Sequence, residues 1–321
     1  MDKPHIFITR KLPDEIIDPY RQYFQIEMWP EEEEPVDKAT LQSKASKADA
    51  VLTMLTEKLD ASLFANAGKL KVVANLAVGY DNIDLDAARE HQVTVTNTPD
   101  VLTDTTADLT FGLLMATARR IVEGEQYIKN GNWNHWSPLL MAGRDIHHKT
   151  IGIVGMGRIG ETVAKRTMGF DMNILYHNRS RKPEAEEKFG ATYTSFEHLL
   201  EASDYVVCLA PLTKETQKMF GKQAFEKMKS DAIFINASRG GLVDEQALYD
   251  ALEDGQIKAA GLDVFENEPI SAEHPLLKLP QVVCLPHIGS ASRETRVKMM
   301  ELALDNIKEV LEGNEPITPV S

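Results

Sequence analysis

Lys149-Thr150-Ile151-Gly152-Ile153-Val154-Gly155-Met156-Gly157-Arg158-Ile159-Gly160 decides the fold. Lys149 to Val154 reads as a short buried strand. The glycine run follows at once, then a helical stretch from Glu161 to Met168 and a second apolar strand from Met172 to Tyr176. Strand, glycine turn, helix, strand is the unit that binds a dinucleotide. Gly155 permits the tight turn, and Gly157 lets backbone approach a pyrophosphate. Gly160 lets the helix pack close to the strand. The helix N-terminus offers unpaired N–H groups and the positive end of its dipole to the phosphates.

An acid that binds the ribose is expected about 20 residues beyond the glycines. Tyr176-His177-Asn178-Arg179-Ser180-Arg181-Lys182 stands there, with Asn178 rather than Asp or Glu at the strand end. A carboxylate would repel a 2′-phosphate, whereas Arg179 and Arg181 can clamp one through charge-assisted bonds. The expected cofactor is NADP(H), with NAD(H) the weaker one. A solvated basic loop is the plain alternative.

The chain has 321 residues and a formal charge of −14, from 49 acids and 35 bases. That length predicts about two domains. The charge argues against a nucleic-acid partner, which needs a basic footprint. Cys208 and Cys284, the two cysteines, lie in apolar strand-like runs, which suits a reducing cytosol better than a disulfide framework. Met1 to Arg10 lacks a signal-peptide core, and no apolar run reaches membrane-spanning length. A cytoplasmic protein with no membrane partner is expected.

In the first hundred residues, strands are predicted at His5 to Thr9, Ala50 to Met54, Leu70 to Asn75 and Val93 to Thr96. Helices are predicted at Asp14 to Tyr23 and, capped by Asp84, at Leu85 to His91. The alternation points to a parallel sheet wrapped by helices. Glu31 to Glu34, between Pro30 and Pro35, reads as a solvated loop. Leu76-Ala77-Val78-Gly79-Tyr80-Asp81-Asn82-Ile83 leaves a strand's carboxyl end and can offer backbone N–H groups to an anion, or be a plain turn. Asn97-Thr98-Pro99-Asp100 breaks the pattern as a hinge would. One long helix, Thr103 to Lys129, is predicted next; its length suggests packing on a second subunit.

Beyond the glycine unit, helices are predicted at Pro183 to Phe189, Ser195 to Ala202, Gly221 to Met228 and Asp244 to Glu253. Strands alternate with them at Asp204 to Leu209, Ala232 to Asn236, Ala259 to Asp263 and Val282 to Leu285. Ser292 to Leu311 reads as one amphipathic helix that packs back on the first domain. Ligands sit at strand carboxyl ends in such sheets. Three of those ends carry distinctive residues: Arg239, Glu268 and His287. A nicotinamide moves a hydride, so the protein must polarise a carbonyl and deliver a proton. His287 suits the proton, Arg239 a bidentate grip on a 2-oxo carboxylate, and Glu268 the orientation of the imidazole. Each alone could be a surface or loop residue; their common position on one nucleotide-binding sheet favours the joint reading. No zinc spacing or serine-nucleophile motif is visible.

Four motifs in this order, Gly155-x-Gly157-x-x-Gly160, Asn236 to Asp244, Gly261 to Pro269 and Pro286 to Ser290, resemble the D-2-hydroxyacid dehydrogenases across essentially the whole chain. The resemblance implies an α/β protein of two flavodoxin- or Rossmann-like domains with parallel sheets and a cleft between them. An NAD(P)-binding domain of residues 101–289 would be inserted into a discontinuous substrate domain, 1–100 and 290–321. It implies that Arg239 binds and polarises the oxo acid, that His287 is the general acid in reduction and base in oxidation, and that Glu268 pairs with it. Asp263 would contact the cofactor near the nicotinamide. Thr106, Arg158, Ile159, Ala210, Pro211, Ala237 and Gly289 would line the cofactor, with Asn178, Arg179, Ser180 and Arg181 at its far end. Val78 and Gly79 would offer N–H groups to the substrate carboxylate. A homodimer through the helix near 103–129 is implied, with Trp136 reaching the partner's site or simply filling the interface. Within the family, the chain is most similar to glyoxylate and hydroxypyruvate reductases, including 2-ketogluconate reductases. Formate dehydrogenases resemble the fold but carry glutamine where Glu268 stands. Dehydrogenase-like transcriptional corepressors, a nucleotide-sensing scaffold, keep similar residues and differ by long disordered tails.

Overall fold

The computed structural model describes residues 3–320. They divide into two compact units, one running to Leu102 and resuming at Ala291, the other spanning Thr103–Ser290. The first unit begins with β1 (His5–Ile8), α1 (Asp14–Ile17), β2 (Gln25–Met28), α2 (Lys38–Ala45) and β3 (Ala50–Thr53). It continues with α3 (Ala61–Ala65), β4 (Val72–Asn75), α4 (Leu85–Glu90) and β5 (Thr94–Thr96). The five strands are parallel, in the order β2-β1-β3-β4-β5. That is the flavodoxin-like order, with ligands expected at the carboxyl edge. Asp37, Asp60 and Asp84 start α2, α3 and α4 by accepting the N–H groups of Thr40, Leu63 and Ala87.

Sequence reasoning missed β2, α2 and α3. In α2 only Leu41 and Ala45 are buried, so its apolar periodicity is almost absent and only the Asp37 cap is readable. The helix predicted from Asp14 to Tyr23 ends at Ile17 and tightens into a 3₁₀ turn, Asp18–Tyr20. Pro19 has no N–H to continue the α ladder.

Beyond β1 and β3 lies a buried carboxylate. Glu57 is 4 % exposed. It accepts from Thr9 Oγ1 at 2.8 Å, Met54 N at 2.8 Å, Thr56 Oγ1 at 2.7 Å and Arg10 Nη2 at 3.0 Å. A buried charge this well partnered becomes costly only when one partner is removed.

The second unit comprises α5 (Thr103–Ala118), α6 (Ile121–Lys129), β6 (Thr150–Val154), α7 (Arg158–Thr167) and β7 (Asn173–His177). Next come α8 (Pro183–Phe189), β8 (Thr192–Tyr193), α9 (Phe196–Ala202), β9 (Tyr205–Cys208) and α10 (Lys222–Lys227). It ends with β10 (Ile233–Asn236), α11 (Glu245–Glu253), β11 (Ala259–Leu262) and β12 (Val282–Cys284). All seven strands are parallel, ordered β12-β11-β10-β9-β6-β7-β8. Numbered within the unit, the first six give the Rossmann order 3-2-1-4-5-6, which reverses between β6 and β9.

The predicted helix Thr103 to Lys129 is two helices. The Ala118 carbonyl accepts the N–H of Arg144 instead of continuing the ladder, and Arg120 turns left-handed at φ 53°. One face of α5 is used within its own unit. Ala107, Phe111, Leu114 and Ala118 are buried in the core with Ile151 and Ile235. Gly261 in β11 permits this packing, since a Cβ there would lie 2.7 Å from Thr117 Oγ1. Arg166 fastens α7 to α5 through Asp104 and Asp108. In contrast α6 buries no residue.

The last helix, α12 (Arg293–Glu312), is capped by Ser292 and stopped by Gly313. It belongs to the first unit and lies against β3, β4 and β5. Thr318 to Val320 then pairs antiparallel with the β5 edge, Val320 N–H donating to Val95. This covers an otherwise open strand. Among the described residues no helix is long and apolar enough to cross a membrane.

Glu57→Leu is expected to cost about 3–5 kcal/mol by stranding Arg10 without its carboxylate. Denaturant unfolding beside the parent protein measures this; an unchanged midpoint would show that the buried ion pair contributes nothing.

Candidate active site

The carboxyl ends of the seven parallel strands share one edge of the second unit, and Arg239, Glu268 and His287 follow three of those strands. At the centre is the β6 turn. Gly155 has φ +104°, and a Cβ there would lie 2.5 Å from both Ala210 N and the Leu209 carbonyl carbon. Gly160 brings α7 onto this turn, because its Cβ would meet the Gly155 oxygen at 2.3 Å. Gly157 is different: nothing lies within 4 Å of its Cβ position. It caps α7 with extended backbone and no side-chain cap bond. An uncapped helix end behind a bare glycine fits a pyrophosphate. The helix begins at Arg158, earlier than the predicted Glu161, which brings its dipole to the turn itself.

On one side of this turn lies the end of β7. Asn178 Nδ2 donates to Ser180 O at 3.0 Å and closes the basic loop on itself. Arg179 and Ser180 are exposed. Arg181 forks onto Glu186 at 2.7 and 2.6 Å. Tyr176 Oη also donates to Glu186 at 2.7 Å and accepts Lys182 N–H at 2.7 Å. Arg181 and Tyr176 together hold the Glu186 carboxyl down to about 2. Arg181 therefore stands pinned beside the loop rather than open like Arg179.

On the other side lie β9, β10, β11 and β12, each about 4.8 Å from the next. Ala210 and Pro211 follow β9, and the Ala210 carbonyl accepts Ser238 Oγ at 2.5 Å. Ala237 and Arg239 follow β10; Asn236 Nδ2 holds the Arg239 carbonyl at 2.9 Å. The β10 and β11 loops touch at Gly240, whose Cβ would sit 1.8 Å from the Phe265 carbonyl carbon.

Asp263 follows β11 and is fully buried. Its carbonyl accepts His287 N–H at 2.9 Å. Its carboxylate oxygens accept Ile288 N–H and Gly289 N–H, each at 2.8 Å. Burial pushes this carboxyl up, against the pull of those N–H groups and of His287. Thr106, at the start of α5, approaches the same turn, 3.4 Å from a Cβ on Gly289. His287 has φ 53°, an unfavourable conformation for a residue with a Cβ, held by these three bonds.

His287 Nδ1 meets Glu268 Oε2 at 2.7 Å, and Glu268 Oε1 accepts Phe265 N–H at 2.8 Å. Burial alone would raise the Glu268 carboxyl. The hydrogen bond and charge of His287, the Phe265 N–H and the nearby Arg239 outweigh it and hold the carboxyl below its ordinary value. An ionised Glu268 takes the proton on Nδ1, leaving Nε2 to exchange a proton with a ligand. The side chains of His287 and Glu268 are 29 % and 30 % exposed, so the pair is accessible.

Val78 and Gly79 lie in the first unit, on the loop after β4. Trp136 is 77 % exposed, and among the described residues no ring contact or hydrogen bond joins it to Arg239, Glu268 or His287. No group of ligating side chains among the described residues could hold a metal. Sequence reasoning missed Glu245, the first residue of α11. It accepts Glu266 N–H at 2.8 Å and meets His274 Nε2 at 3.3 Å, fixing the β11 loop from its other end. Only its position after the Asp244 cap hinted at this.

Residues 111–289 match the model of the D-isomer specific 2-hydroxyacid dehydrogenase, NAD binding domain. The chain belongs to the D-isomer specific 2-hydroxyacid dehydrogenase family. It is 48 % identical to a glyoxylate reductase of Thermococcus gammatolerans over 99 % of this chain and 96 % of the relative. It is 46 % identical to one of Korarchaeum cryptofilum over 98 % and 95 %. A solved NADPH-dependent glyoxylate/hydroxypyruvate reductase of Sinorhizobium meliloti, in complex with NADP and malonate, superposes with a TM-score of 0.87 at 34 % identity. The match covers 100 % of this chain and 97 % of that one. The chain is thus an oxidoreductase of the 2-hydroxyacid dehydrogenase type with an NAD(P)-binding domain.

Gly240→Ala forces the Arg239 and Glu268 loops apart. It is expected to lower kcat/KM for a 2-oxo acid by about 100-fold, as a misplacement of roughly 1 Å does. Steady-state kinetics on the folded variant checks this, and parent-like activity would contradict the close approach.

Proposed function

We propose that the protein reduces small 2-oxo acids with NADPH: glyoxylate to glycolate, hydroxypyruvate to D-glycerate, and 2-ketogluconate to gluconate as the largest candidate. The observation that carries this reading is the His287–Glu268 pair, 2.7 Å apart at the carboxyl edge of a nucleotide-binding sheet, with Arg239 acting on the same carboxylate. The glyoxylate reductases among its relatives support the substrate class.

When bound, the nicotinamide supplies the hydride in reduction and accepts it in oxidation. Arg239 grips the substrate carboxylate and draws charge from the neighbouring carbonyl oxygen. The N–H groups of Val78 and Gly79 are assigned to a substrate carboxylate. His287 gives the Nε2 proton to the carbonyl oxygen as the alcohol forms, and takes it back in the reverse direction. Glu268 accepts from Nδ1 and holds the ring in orientation. Thr106, Ala210, Pro211, Ala237, Asp263 and Gly289 are assigned to the cofactor, with Gly155 to Gly160 on its pyrophosphate.

Preference for NADPH rests on Asn178 where a ribose-binding acid would stand, and on Arg179 and Ser180, exposed beside it. Arg181, held by Glu186, is assigned the lesser share of a 2′-phosphate. NAD(H) is the weaker cofactor. A homodimer is proposed through the helix near 103–129 and the exposed apolar side chains that follow one another from Ile121 to Leu139: Ile121, Val122, Ile128, Trp133, Trp136 and Leu139. The described cysteines are free, which suits a cytoplasmic setting.

NADPH oxidation across glyoxylate, hydroxypyruvate and 2-ketogluconate tests the function. One retained charge-assisted contact to the 2′-phosphate predicts a preference over NADH of roughly 10- to 100-fold in kcat/KM. No turnover of any 2-oxo acid would end the proposal, and equal use of both cofactors would end the NADPH part.

A second test uses pH. The Glu268 carboxyl lies below its ordinary value of 4.5. Its bond to His287 is therefore fully present above about pH 4.5 and is lost as pH falls through the lower folded value. In the parent, kcat/KM for reduction should fall as pH drops through that lower value, Glu268→Gln should lack this acid limb, and His287→Ala should lower kcat by about two to four orders of magnitude. Superimposable pH profiles for parent and Glu268→Gln would exclude the carboxylate's role.

A further inference from the structure

The loop after β4 contains three successive N–H groups, of Val78, Gly79 and Tyr80, that donate to no protein group among the described residues. Such a run is an anion cradle only if the peptide planes are fixed, since a free loop would turn its N–H groups to water. In a trans peptide the carbonyl of one residue and the N–H of the next lie in one plane and point opposite ways. Whatever grips the carbonyl therefore aims the following N–H.

All three carbonyls are gripped. Ala77 O accepts Thr98 N–H at 2.9 Å, which sets the Val78 N–H. Val78 O accepts Asn97 Nδ2 at 2.8 Å, which sets the Gly79 N–H. Gly79 O accepts Asn75 Nδ2 at 2.7 Å, which sets the Tyr80 N–H. Two of the three grips come from the adjacent residues Asn97 and Thr98. Asn97 is itself clamped by main chain on both sides: its N–H donates to Thr318 O at 3.3 Å and its carbonyl accepts Thr318 Oγ1 at 2.6 Å. Thr318 is held in turn by Asn306, fully buried in α12, through bonds of 2.8 and 2.9 Å. An amide side chain is the residue type that can reach across and donate to a carbonyl while carrying no charge that would repel a carboxylate.

We propose that Asn97 is a positioning residue for substrate: its side-chain amide aims the Gly79 N–H at the substrate carboxylate, and the Asn306–Thr318 pair holds it in place. The inference rests on the oxo-acid reading above and goes beyond it in naming what makes that loop a carboxylate site. Asn97 touches neither substrate nor cofactor, so its effect falls on recognition of the carboxylate alone.

The test compares Asn97→Ala and the volume-conserving Asn97→Leu with the parent enzyme. Three quantities are measured: KM and kcat for glyoxylate, the same constants for its uncharged ethyl ester, and the inhibition constant of oxamate, an unreactive carboxylate analogue. Dissociation of NADPH is followed by fluorescence as a control. For both variants, KM for glyoxylate and the inhibition constant of oxamate should rise about tenfold, with kcat and NADPH binding within twofold of the parent. The ester should be used as well as by the parent. Unchanged glyoxylate and oxamate constants would overturn the inference, and so would an equal loss on acid and ester. If Asn97→Ala does not fold, the Asn97→Leu constants decide alone; if neither folds, Asn306→Ala, acting through Thr318, must show the same acid-selective loss or the inference falls. A parent enzyme that turns over no oxo acid would instead remove the function proposal, so the two failures are distinguishable.

Discussion

One buried carboxylate organises the second unit's reactive edge. Asp263 receives three consecutive backbone N–H groups from the segment after β12, two on its side chain and one on its carbonyl. Without them His287 would have no reason to keep a positive φ, which costs a side-chain-bearing residue on the order of 1–3 kcal/mol. With them the turn is fixed, and the imidazole meets Glu268 from the next loop at hydrogen-bonding distance. The same β11 loop is pressed against Arg239 by the missing Cβ of Gly240 and tied at its other end by Glu245. Three side chains far apart in sequence thus share one rigid frame made mostly of backbone.

The parallel sheet explains why the frame can exist. Adjacent strands β10, β11 and β12 deliver their carboxyl ends side by side, and β6 with its glycine turn lies two strands away from β10. Sequence order plays no part in this, because the chain crosses the sheet by right-handed helical connections. The outcome is that His287 and the β6 glycine turn, separated by more than a hundred residues, lie along the same edge.

Much of this was legible in the sequence, for identifiable reasons. The central strands β6, β9, β10 and β11 are continuous runs buried on both faces, and Asp84, Ser195, Asp244 and Ser292 mark helix starts that the structure keeps. Arg239, Glu268 and His287 stood out because polar residues directly after apolar strands have few structural uses. What stayed hidden depends on contacts distant along the chain. The break between α5 and α6 is made by Arg144 capturing the Ala118 carbonyl, and no local propensity at Arg119 or Arg120 announces it. The engagement of Arg181 with Glu186 looks, in sequence, like any basic loop followed by an acidic helix. Asn75 reads as a strand end and Asn97 as the start of a hinge, because the carbonyls they grip belong to a loop that curls back only in three dimensions.

The place of α12 has a consequence for how the chain is made. The helix lies against β3, β4 and β5, yet its residues follow the entire second unit. A ribosome releases β1 to β5 first, with one face of their sheet still lacking its cover. The second unit, whose strands and helices are contiguous in sequence, can close while that face waits. Biogenesis therefore runs inside out: the inserted portion matures before the portion that surrounds it, and nascent β3 and β4 stay sticky until the final thirty or so residues emerge.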